Sequence, residues 1–107
     1  MFNWFFNLFK KADNTALIAA LKSGQAVVID VRTKGEFMSG HVADSLNIPL
    51  NEISANVAKI KKMDKTIVFC CASGNRSGQA TRLLQAQGLD NIHNGGSWSN
   101  VNSLKSS

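Results

Sequence analysis

The sequence predicts an α/β fold, with a small parallel β-sheet and helices on both faces. Two runs of residues, 26–31 and 66–70, are apolar and rich in β-branched side chains, which is typical of strands buried in a parallel sheet. Segments with helical spacing of apolar residues separate the candidate strands, and this alternation indicates right-handed crossover connections. With 107 residues, of which 44% are hydrophobic, the chain is long enough to build one such domain.

The first half of the predicted domain contains two strands and three helices. Helices are predicted where a polar capping residue precedes apolar side chains at helical spacing, and glycine or proline marks where an element ends. The predicted elements are a helix capped by Asp13 or Asn14 and ended by Ser23-Gly24, strand 26–31, helix 35–38, strand 45–48 before Pro49, and a helix from Asn51 or Ser54 to Met63.

The second half contains two more strands around one long helix. Strand 66–70 leads into a helix over residues 77–87, for which Ser77 is the predicted N-cap and Gly88 the glycine that follows the helix. A short strand over residues 91–93 precedes Gly95-Gly96. The domain is predicted to span residues 13–101, and residues 102–107 form a polar C-terminal tail that is expected to fray.

The carboxyl ends of parallel strands meet at one edge of a sheet, where ligands bind in folds of this class. Three segments are therefore expected to converge there: residues 30–33, the loop that begins at Cys70, and residues 94–98. This convergence brings Arg32 close to the two cysteines from a distant part of the sequence.

The loop itself, residues 70–77, reads Cys-Cys-Ala-Ser-Gly-Asn-Arg-Ser and lies where a strand turns into a helix. The backbone N–H groups of a first helical turn have no partner within the helix, so they attract anions and favour an ionised thiol. Gly74 lets the loop curl, and Arg76 adds a fixed positive charge. The loop therefore predicts a thiolate nucleophile that acts on a small anion.

Two cysteines compete for this role, and the choice separates two classes of enzyme. Four residues separate Cys71 from Arg76, whereas five separate Cys70 from Arg76, which is the spacing of Cys-x5-Arg phosphatases. Because side chains alternate along a strand, Cys70 is predicted to pack sideways as a small hydrophobic residue, and Cys71 is the first side chain to project into the loop. Cys71 is therefore the favoured nucleophile.

Composition excludes several other classes of site. The two cysteines are neighbours about 3.8 Å apart at Cα, less than the usual span of a disulfide, so we expect no structural disulfide and a reducing compartment. Two thiols and two scattered histidines do not make a zinc site. The net charge of +5 favours anionic partners, but the aromatic residues are not interleaved with the lysines as nucleic-acid binding requires.

The N-terminal segment, residues 1–12, is amphipathic and aromatic. Its large apolar side chains are those of Phe2, Trp4, Phe5, Phe6 and Phe9. The segment is too short to span a membrane, and its lysines follow the apolar stretch, unlike a secretory signal. We favour a short helix that packs on the domain or on a second subunit. The alternative is an interfacial anchor, which would place a cytoplasmic protein peripherally at the membrane.

Three separated blocks resemble one known family. Residues 67–78 resemble the active-site segment of the single-domain rhodaneses, which are small thiosulfate sulfurtransferases. Residues 28–42 are similar to the first signature of that family, and residues 88–98 to its closing Gly-Gly segment. The resemblance covers roughly residues 13–100, and three blocks in the right order are more specific than one motif. Asp44-Ser45, where the family has Gly-Ala, Cys70, where it commonly has tyrosine, and the position of Trp98 depart from the pattern, and we assign Trp98 no role.

The resemblance implies a rhodanese-like fold and a sulfurtransferase that works through a persulfide on Cys71. The Cys71 thiolate would attack the outer sulfur of thiosulfate or a related anionic donor, and the sulfur would pass to a thiol, cyanide or a protein acceptor. Neither a metal nor a bound cofactor is expected. Arg76 is expected to lower the thiol pKa. The predicted substrate-binding residues are Ala72, Ser73, Gly74, Asn75, Arg76, Ser77 and Arg32.

Two alternatives remain for the function, and some residues have structural interpretations. The chain could be a non-catalytic binding module with a rhodanese-like fold, or a Cys-x5-Arg phosphatase that uses Cys70. Asp30 and Arg32 are also expected to hold loops together, with Glu36 as a candidate partner. His41 is expected to be a structural, hydrogen-bonded histidine.

Overall fold

The computed structural model describes residues 15–106, which form an α/β domain around a four-stranded parallel sheet in the order β2-β1-β3-β4. The helices and strands are α1 (residues 15–23), β1 (Ala26–Asp30), α2 (Lys34–Met38), β2 (Leu46–Asn47), α3 (Val57–Lys62), β3 (Thr66–Cys71), α4 (Asn75–Ala86), β4 (Ile92–Ser97) and α5 (Trp98–Ser106). This architecture confirms the predicted fold class. The membrane or subunit contact proposed for residues 1–12, and the cap at Asp13 or Asn14, lie outside the described residues.

The two central strands, β1 and β3, are paired over the whole length of β1, from Ala26 opposite Thr66 to Asp30 opposite Cys70. Beyond the end of β1, the amide of Val31 still donates to the carbonyl of Cys70 at 2.9 Å. The pairing of β3 with β4 has an irregular register between Phe69 and Cys71, where Cys71 comes to lie opposite Ser97. The central strands therefore end at the same edge of the sheet, as expected for a ligand site.

The sheet has a hydrophobic layer on each face, and β3 contributes to both. Phe69 and Cys71 belong to the layer that contains Ile60 of α3 and Leu84 of α4. Val68 and Cys70 belong to the opposite layer, with Leu17 and Leu21 of α1 and Val101 of α5. Side chains alternate along a strand, so the two adjacent cysteines lie on opposite faces of the sheet.

Several element boundaries differ from the sequence predictions. Strand β3 includes Cys71, and α4 begins at Asn75 rather than Ser77 because Gly74, with φ of 98°, occupies the N-cap position. Ser77 is therefore not the helix cap. The helix expected from Asn51 or Ser54 to Met63 is broken, with two 3₁₀ turns, Leu50–Glu52 and Ser54–Asn56, before α3.

The C-terminal part of the domain is more ordered than predicted. Strand β4 continues through both glycines to Ser97, instead of ending at residue 93. Residues 98–106 form α5, so the expectation of a frayed tail from residue 102 was wrong. Val101 is fully buried, and Lys105 Nζ donates to the Ala43 carbonyl at 2.7 Å. These contacts hold α5 against the sheet. They involve residues distant in the sequence, so the polar composition of residues 102–107 did not predict them. No helix among residues 15–106 is long and apolar enough to cross a membrane.

The packing of β4 against β3 and α5 leaves no room for a side chain at Gly95. A Cβ at this position would lie 2.5 Å from Val101 Cγ2 and 2.8 Å from Val68 Cγ1. We expect Gly95→Ala to lower the free energy of unfolding by about 1–3 kcal/mol, because β4 and α5 must move apart. Gly35→Ala is the control, since nothing lies within 4 Å of its Cβ and alanine favours the helix. Denaturant unfolding measures both, and equal stability of the two variants would contradict the prediction.

Candidate active site

The candidate active site is built around Cys71, the last residue of β3. The chain turns through residues 72–74, and the left-handed conformation of Gly74 lets α4 begin directly behind the turn. As a result the amides of Gly74 and Ser77 donate to Cys71 Sγ, at 3.0 and 3.4 Å. Ser77 Oγ lies 3.3 Å from the same sulfur. The predicted convergence of loop N–H groups on one thiol is therefore found in the structure.

The close approach of β4 helps to shape this turn. A Cβ on Gly74 would lie 3.3 Å from the Cα of Gly96. Both the positive φ and this proximity favour glycine at position 74. The turn is therefore held between its own helix and the glycines of β4, and this fixes its amides in place.

The surroundings of Cys71 shift its pKa in two directions. Burial raises the pKa of the Cys71 thiol, since the side chain has no exposed surface. Hydrogen bonds from the Ser77 hydroxyl and from the amides of Ser77, Ser73 and Gly74 outweigh burial, so the pKa lies below its ordinary value. These bonds stabilise the thiolate.

The second thiol, Cys70, has the opposite environment. Burial in the layer beneath α1 and α5, followed by the nearby negative charge of Asp30, raises the pKa of Cys70 to about 12. The Cys70 side chain is completely buried. A thiol with this pKa is protonated at neutral pH, so it is a poor nucleophile.

Arg76 lies on the first turn of α4 but points toward α2. Its Nη1 and Nη2 atoms donate to Glu36 Oε1 and Oε2, at 2.8 and 3.0 Å. The Arg76 hydrogen bond, helped by the Thr33 amide, lowers the pKa of Glu36 to about 2. The largest contributions that lower the Cys71 pKa are the loop hydrogen bonds, while Arg76, whose main partner is Glu36, also interacts electrostatically with Cys71.

Thr33 and Glu36 explain why α2 presents its carboxylate to Arg76. The Thr33 hydroxyl accepts from the Glu36 amide, and Glu36 Oε1 accepts from the Thr33 amide, at 3.3 and 3.1 Å. This capping box starts the helix and fixes the Glu36 side chain. Glu36 was expected to pair with Asp30 and Arg32, so its partner was predicted wrongly.

Arg32 is committed to a buried ion pair. Its Nη2 atom lies 2.7 Å from Asp30 Oδ2 and donates to the Gly40 carbonyl at 2.6 Å. The guanidinium also lies over the Trp98 ring, 5.0 Å from its centroid. The pair therefore joins the end of β1 to the Gly40 loop and to α5, as the structural interpretation of Asp30 and Arg32 expected. Trp98, to which the sequence assigned no role, covers this pair.

One group at the site was missed by sequence reasoning. Asn94 on β4 accepts a hydrogen bond from the Ser77 hydroxyl at 2.6 Å, and its Nδ2 donates to the Gly74 carbonyl at 3.1 Å. Asn94 thus links β4 to the helix and to the turn around Cys71. The sequence predicted that residues 94–98 reach this edge of the sheet. It did not predict the hydrogen bonds of Asn94 with Ser77 and Gly74.

The structure therefore brings together most, but not all, of the predicted site residues. The turn from Ala72 to Gly74 and the first turn of α4 lie around the Cys71 sulfur, whereas Arg32 binds Asp30. His41 Nδ1 lies 2.8 Å from the Phe37 carbonyl, and the two rings stack. Within residues 15–106, no group of three or more histidine, cysteine or acidic side chains is arranged to hold a metal ion.

Comparison with known proteins finds relatives for most of the chain. The family profile described as "Rhodanese-like domain" matches residues 13–103. The thiosulfate sulfurtransferase GlpE of Pseudomonas savastanoi pv. phaseolicola is 35% identical over 74 residues, which cover 69% of this chain and 69% of GlpE. The uncharacterized protein YqhL of Bacillus subtilis is 36% identical over 70 residues, which cover 65% of this chain and 55% of YqhL. The chain thus spans about half the length of YqhL.

A solved structure described as a rhodanese with anions from E. coli has the same fold. It superposes with a TM-score of 0.65 at 30% identity, and the match covers 70% of this chain and 89% of that chain. These matches confirm both the fold class and the family resemblance that the three sequence blocks carried.

The different environments of Cys71 and Cys70 predict that the two thiols ionise at different pH values. In a titration followed by the ultraviolet absorbance of thiolates, we expect one thiol to ionise below pH 9.0, because the loop hydrogen bonds stabilise its anion. Cys71→Ala should remove this transition. Cys70→Ala is the matched control and should keep it, since the Cys70 pKa is about 12. Loss of the transition in the Cys70 variant would reverse the assignment.

The second prediction concerns the Glu36–Arg76 ion pair. Glu36 has a lower pKa in the folded protein, about 2, than its ordinary value of 4.5. It therefore stabilises the fold above pH 4.5, and this contribution is lost as the pH falls toward 2. The difference in free energy of unfolding between the wild type and Glu36→Gln should shrink over this range. A difference that stays constant across it would contradict the assigned pairing.

Proposed function

Because this chain belongs to the family of rhodanese-like domains, we propose that it is a sulfurtransferase that moves sulfane sulfur from thiosulfate or a related donor to a thiophilic acceptor. The observation that carries the proposal is the set of contacts to one sulfur atom, Cys71 Sγ, which accepts from the Gly74 and Ser77 amides and lies 3.3 Å from Ser77 Oγ. A sulfur atom held by amide donors at a helix N-terminus is suited to carry negative charge.

In the first half-reaction, the Cys71 thiolate attacks the outer sulfur of the donor. A bond forms between Sγ and that sulfur, the S–S bond of thiosulfate breaks, and its electron pair leaves with sulfite. No separate general base is proposed, because the loop hydrogen bonds favour the thiolate form of Cys71. The terminal sulfur of the resulting persulfide carries the charge, and we propose that it is stabilised by N–H groups of the first turn of α4 that have no partner within the helix, such as those of Asn75 and Arg76.

In the second half-reaction, a thiol, cyanide or protein nucleophile attacks the terminal sulfur. The persulfide bond breaks and its electron pair returns to Cys71 Sγ, which regenerates the thiolate. Two separate half-reactions with a covalent intermediate give ping-pong kinetics. The sulfur is carried covalently throughout, so the proposed reaction needs no bound metal or cofactor.

Access to Cys71 is part of the proposal. The Cys71 side chain is fully buried, while Ala72 and Ser73 of the turn are exposed. A cleft of about 300 Å³ opens beside Arg76, between Thr33, Pro49, Leu50 and Asn51. Val31, which also lines it, packs in the same layer as Cys71. We propose that the donor approaches Cys71 from this cleft.

The two arginines have different roles in this scheme. Arg76 lines the cleft, is about one-third exposed and has guanidinium N–H groups beyond those that bind Glu36, so it can contact an anionic donor. Arg32 was predicted to bind the donor too, but its guanidinium is buried against Asp30, Gly40 and Trp98. For Arg32 we propose a structural role, in which it holds the end of β1, the Gly40 loop and the start of α5 together.

The two free cysteines, Cys70 and Cys71, also bear on the compartment and on the alternative functions. Unpaired thiols support a reducing compartment, which we propose to be the cytoplasm. A phosphatase of the Cys-x5-Arg type would need Cys70 as its nucleophile. The burial of Cys70 on the opposite face and its pKa of about 12 argue against that role.

The test is sulfur transfer from thiosulfate to cyanide, measured together with phosphate-ester hydrolysis. We expect Cys71→Ala to abolish transfer and Cys70→Ala to retain it, and no variant to hydrolyse esters. Incubation with thiosulfate alone should add the mass of one sulfur atom to the wild type but not to the Cys71 variant. Loss of sulfur transfer in the Cys70 variant alone would contradict the assignment of Cys71, and not Cys70, as the nucleophile. Absence of transfer and of the mass increase in the folded wild type would favour the binding-module alternative.

A further inference from the structure

The hydroxyl of Ser77 has one proton and two neighbours that can accept it. Ser77 Oγ lies 2.6 Å from Asn94 Oδ1 and 3.3 Å from Cys71 Sγ. The orientation of the Asn94 amide is fixed, since the Gly96 amide donates to Oδ1 and Nδ2 donates to the Gly74 carbonyl. The amide oxygen therefore faces Ser77. Because that oxygen carries no proton, Ser77 is the donor in this hydrogen bond.

This arrangement is compatible with a protonated Cys71 but has to change when Cys71 ionises. With its proton on the Asn94 side, Ser77 Oγ presents lone pairs to the sulfur, so the contact is favourable when Sγ–H donates to Oγ. A thiolate has no proton to donate. To stabilise it, the Ser77 hydroxyl must turn toward Sγ, and Asn94 Oδ1 then retains only the Gly96 amide among these donors. Ser77 is fully buried, so protein groups decide which way its proton points.

We propose that Asn94 is a positioning residue that sets the balance between thiol and thiolate at Cys71 by competing with the sulfur for the Ser77 proton. The inference rests on the proposed function, since it concerns how the same nucleophile is activated. Asn94 holds the turn closed through Gly74 while Cys71 is protonated, and it releases the Ser77 hydroxyl when the thiolate forms. Asn94 touches neither the sulfur nor the cleft, and its effect on the ionisation of Cys71 is exerted through the Ser77 hydroxyl.

The charged groups on the surrounding elements do not account for such an effect. They are Cys70 beside Cys71 on β3, the Asp30–Arg32 pair at the end of β1, the Glu36–Arg76 pair between α2 and α4, Arg82 on α4, and His93 on β4. Arg82 and Asn94 both lie near Gly78, where a Cβ would be 3.4 Å from Arg82 Nη1 and 3.2 Å from Asn94 Nδ2, and the arginine stays positively charged while Cys71 titrates. The Glu36 pKa of about 2 and the Cys70 pKa of about 12 keep these two groups in one charge state while Cys71 titrates. His93 lies opposite Val68 in the β3–β4 register, three residues before Cys71.

The experiment is a pH titration of the thiolate ultraviolet absorbance in the full chain, with Asn94→Ala, Ser77→Ala and the double variant. Asn94→Ala frees the Ser77 proton for the sulfur, so the transition should move to lower pH. At a pH below the transition, the thiolate fraction should rise about tenfold or more, the size expected for one hydrogen bond to a charged group. Ser77→Ala removes the donor and should move the transition to higher pH. In the double variant, the Asn94 substitution should have no further effect.

A purely structural role of Asn94 predicts the opposite sign. Losing its hydrogen bond to Gly74 would loosen the turn, weaken the amide donors and move the transition to higher pH. A shift to higher pH, no shift, or a shift that persists without Ser77 would each overturn the inference. Asn94→Leu, which keeps the volume and removes both polar groups, is the second variant if Asn94→Ala does not fold.

The titration needs no sulfur transfer, so the two proposals fail separately. A wild type that transfers no sulfur but shows the expected shifts would overturn the proposed function and retain the role of Asn94. Sulfur transfer through Cys71 without these shifts would retain the function and overturn the role of Asn94.

Discussion

The site depends on hydrogen bonds that stabilise a negative charge on a fully buried sulfur. Burial alone favours the protonated form of Cys71, so the thiolate requires donors that are in place before it forms. The turn between β3 and α4 supplies them because Gly74 adopts a left-handed conformation and lies so near Gly96 that a Cβ on Gly74 would be 3.3 Å from the Gly96 Cα. A larger residue at position 74 would both strain the backbone and push β4 away. The conformation of Gly74 and its closeness to Gly96 therefore position the amide donors around Cys71 Sγ.

The alternation of side chains along β3 distinguishes two residues that are chemically identical. Cys70 and Cys71 are adjacent in the chain, yet they belong to hydrophobic layers on opposite faces of the sheet. Cys71 is the last residue of β3, so it borders the turn that leads into α4. Cys70 has the nearby Asp30 charge and an apolar environment, which raise its pKa, whereas Cys71 has the loop hydrogen bonds, which lower it. Position within the sheet, and not the type of residue, sets the opposite directions in which the two thiol pKa values are shifted.

Two ion pairs, Asp30–Arg32 and Glu36–Arg76, lie near the site and differ in how far they are buried. The Asp30–Arg32 pair is buried and has additional partners in Gly40 and Trp98, so removal of either member would leave an uncompensated buried charge. The Glu36–Arg76 pair is about one-third exposed, where solvent screening reduces its contribution to stability. The first pair is suited to fix the framework. The second lies beside the cleft, where an arginine remains accessible to an anion.

Local patterns in the sequence determined the α/β fold, the order of the elements, the turn that follows Cys71 and the placement of Cys70 and Cys71 on opposite faces of the sheet. These features follow from the periodicity of strands and helices and from residues within one loop, so they can be read without knowing long-range contacts. Tertiary structure decided that Arg76 pairs with Glu36, that Asn94 binds the Ser77 hydroxyl, and that the polar C-terminal segment forms α5. Each of these depends on groups that are distant in the chain, or on burial of Val101, and only the packed sheet brings them together.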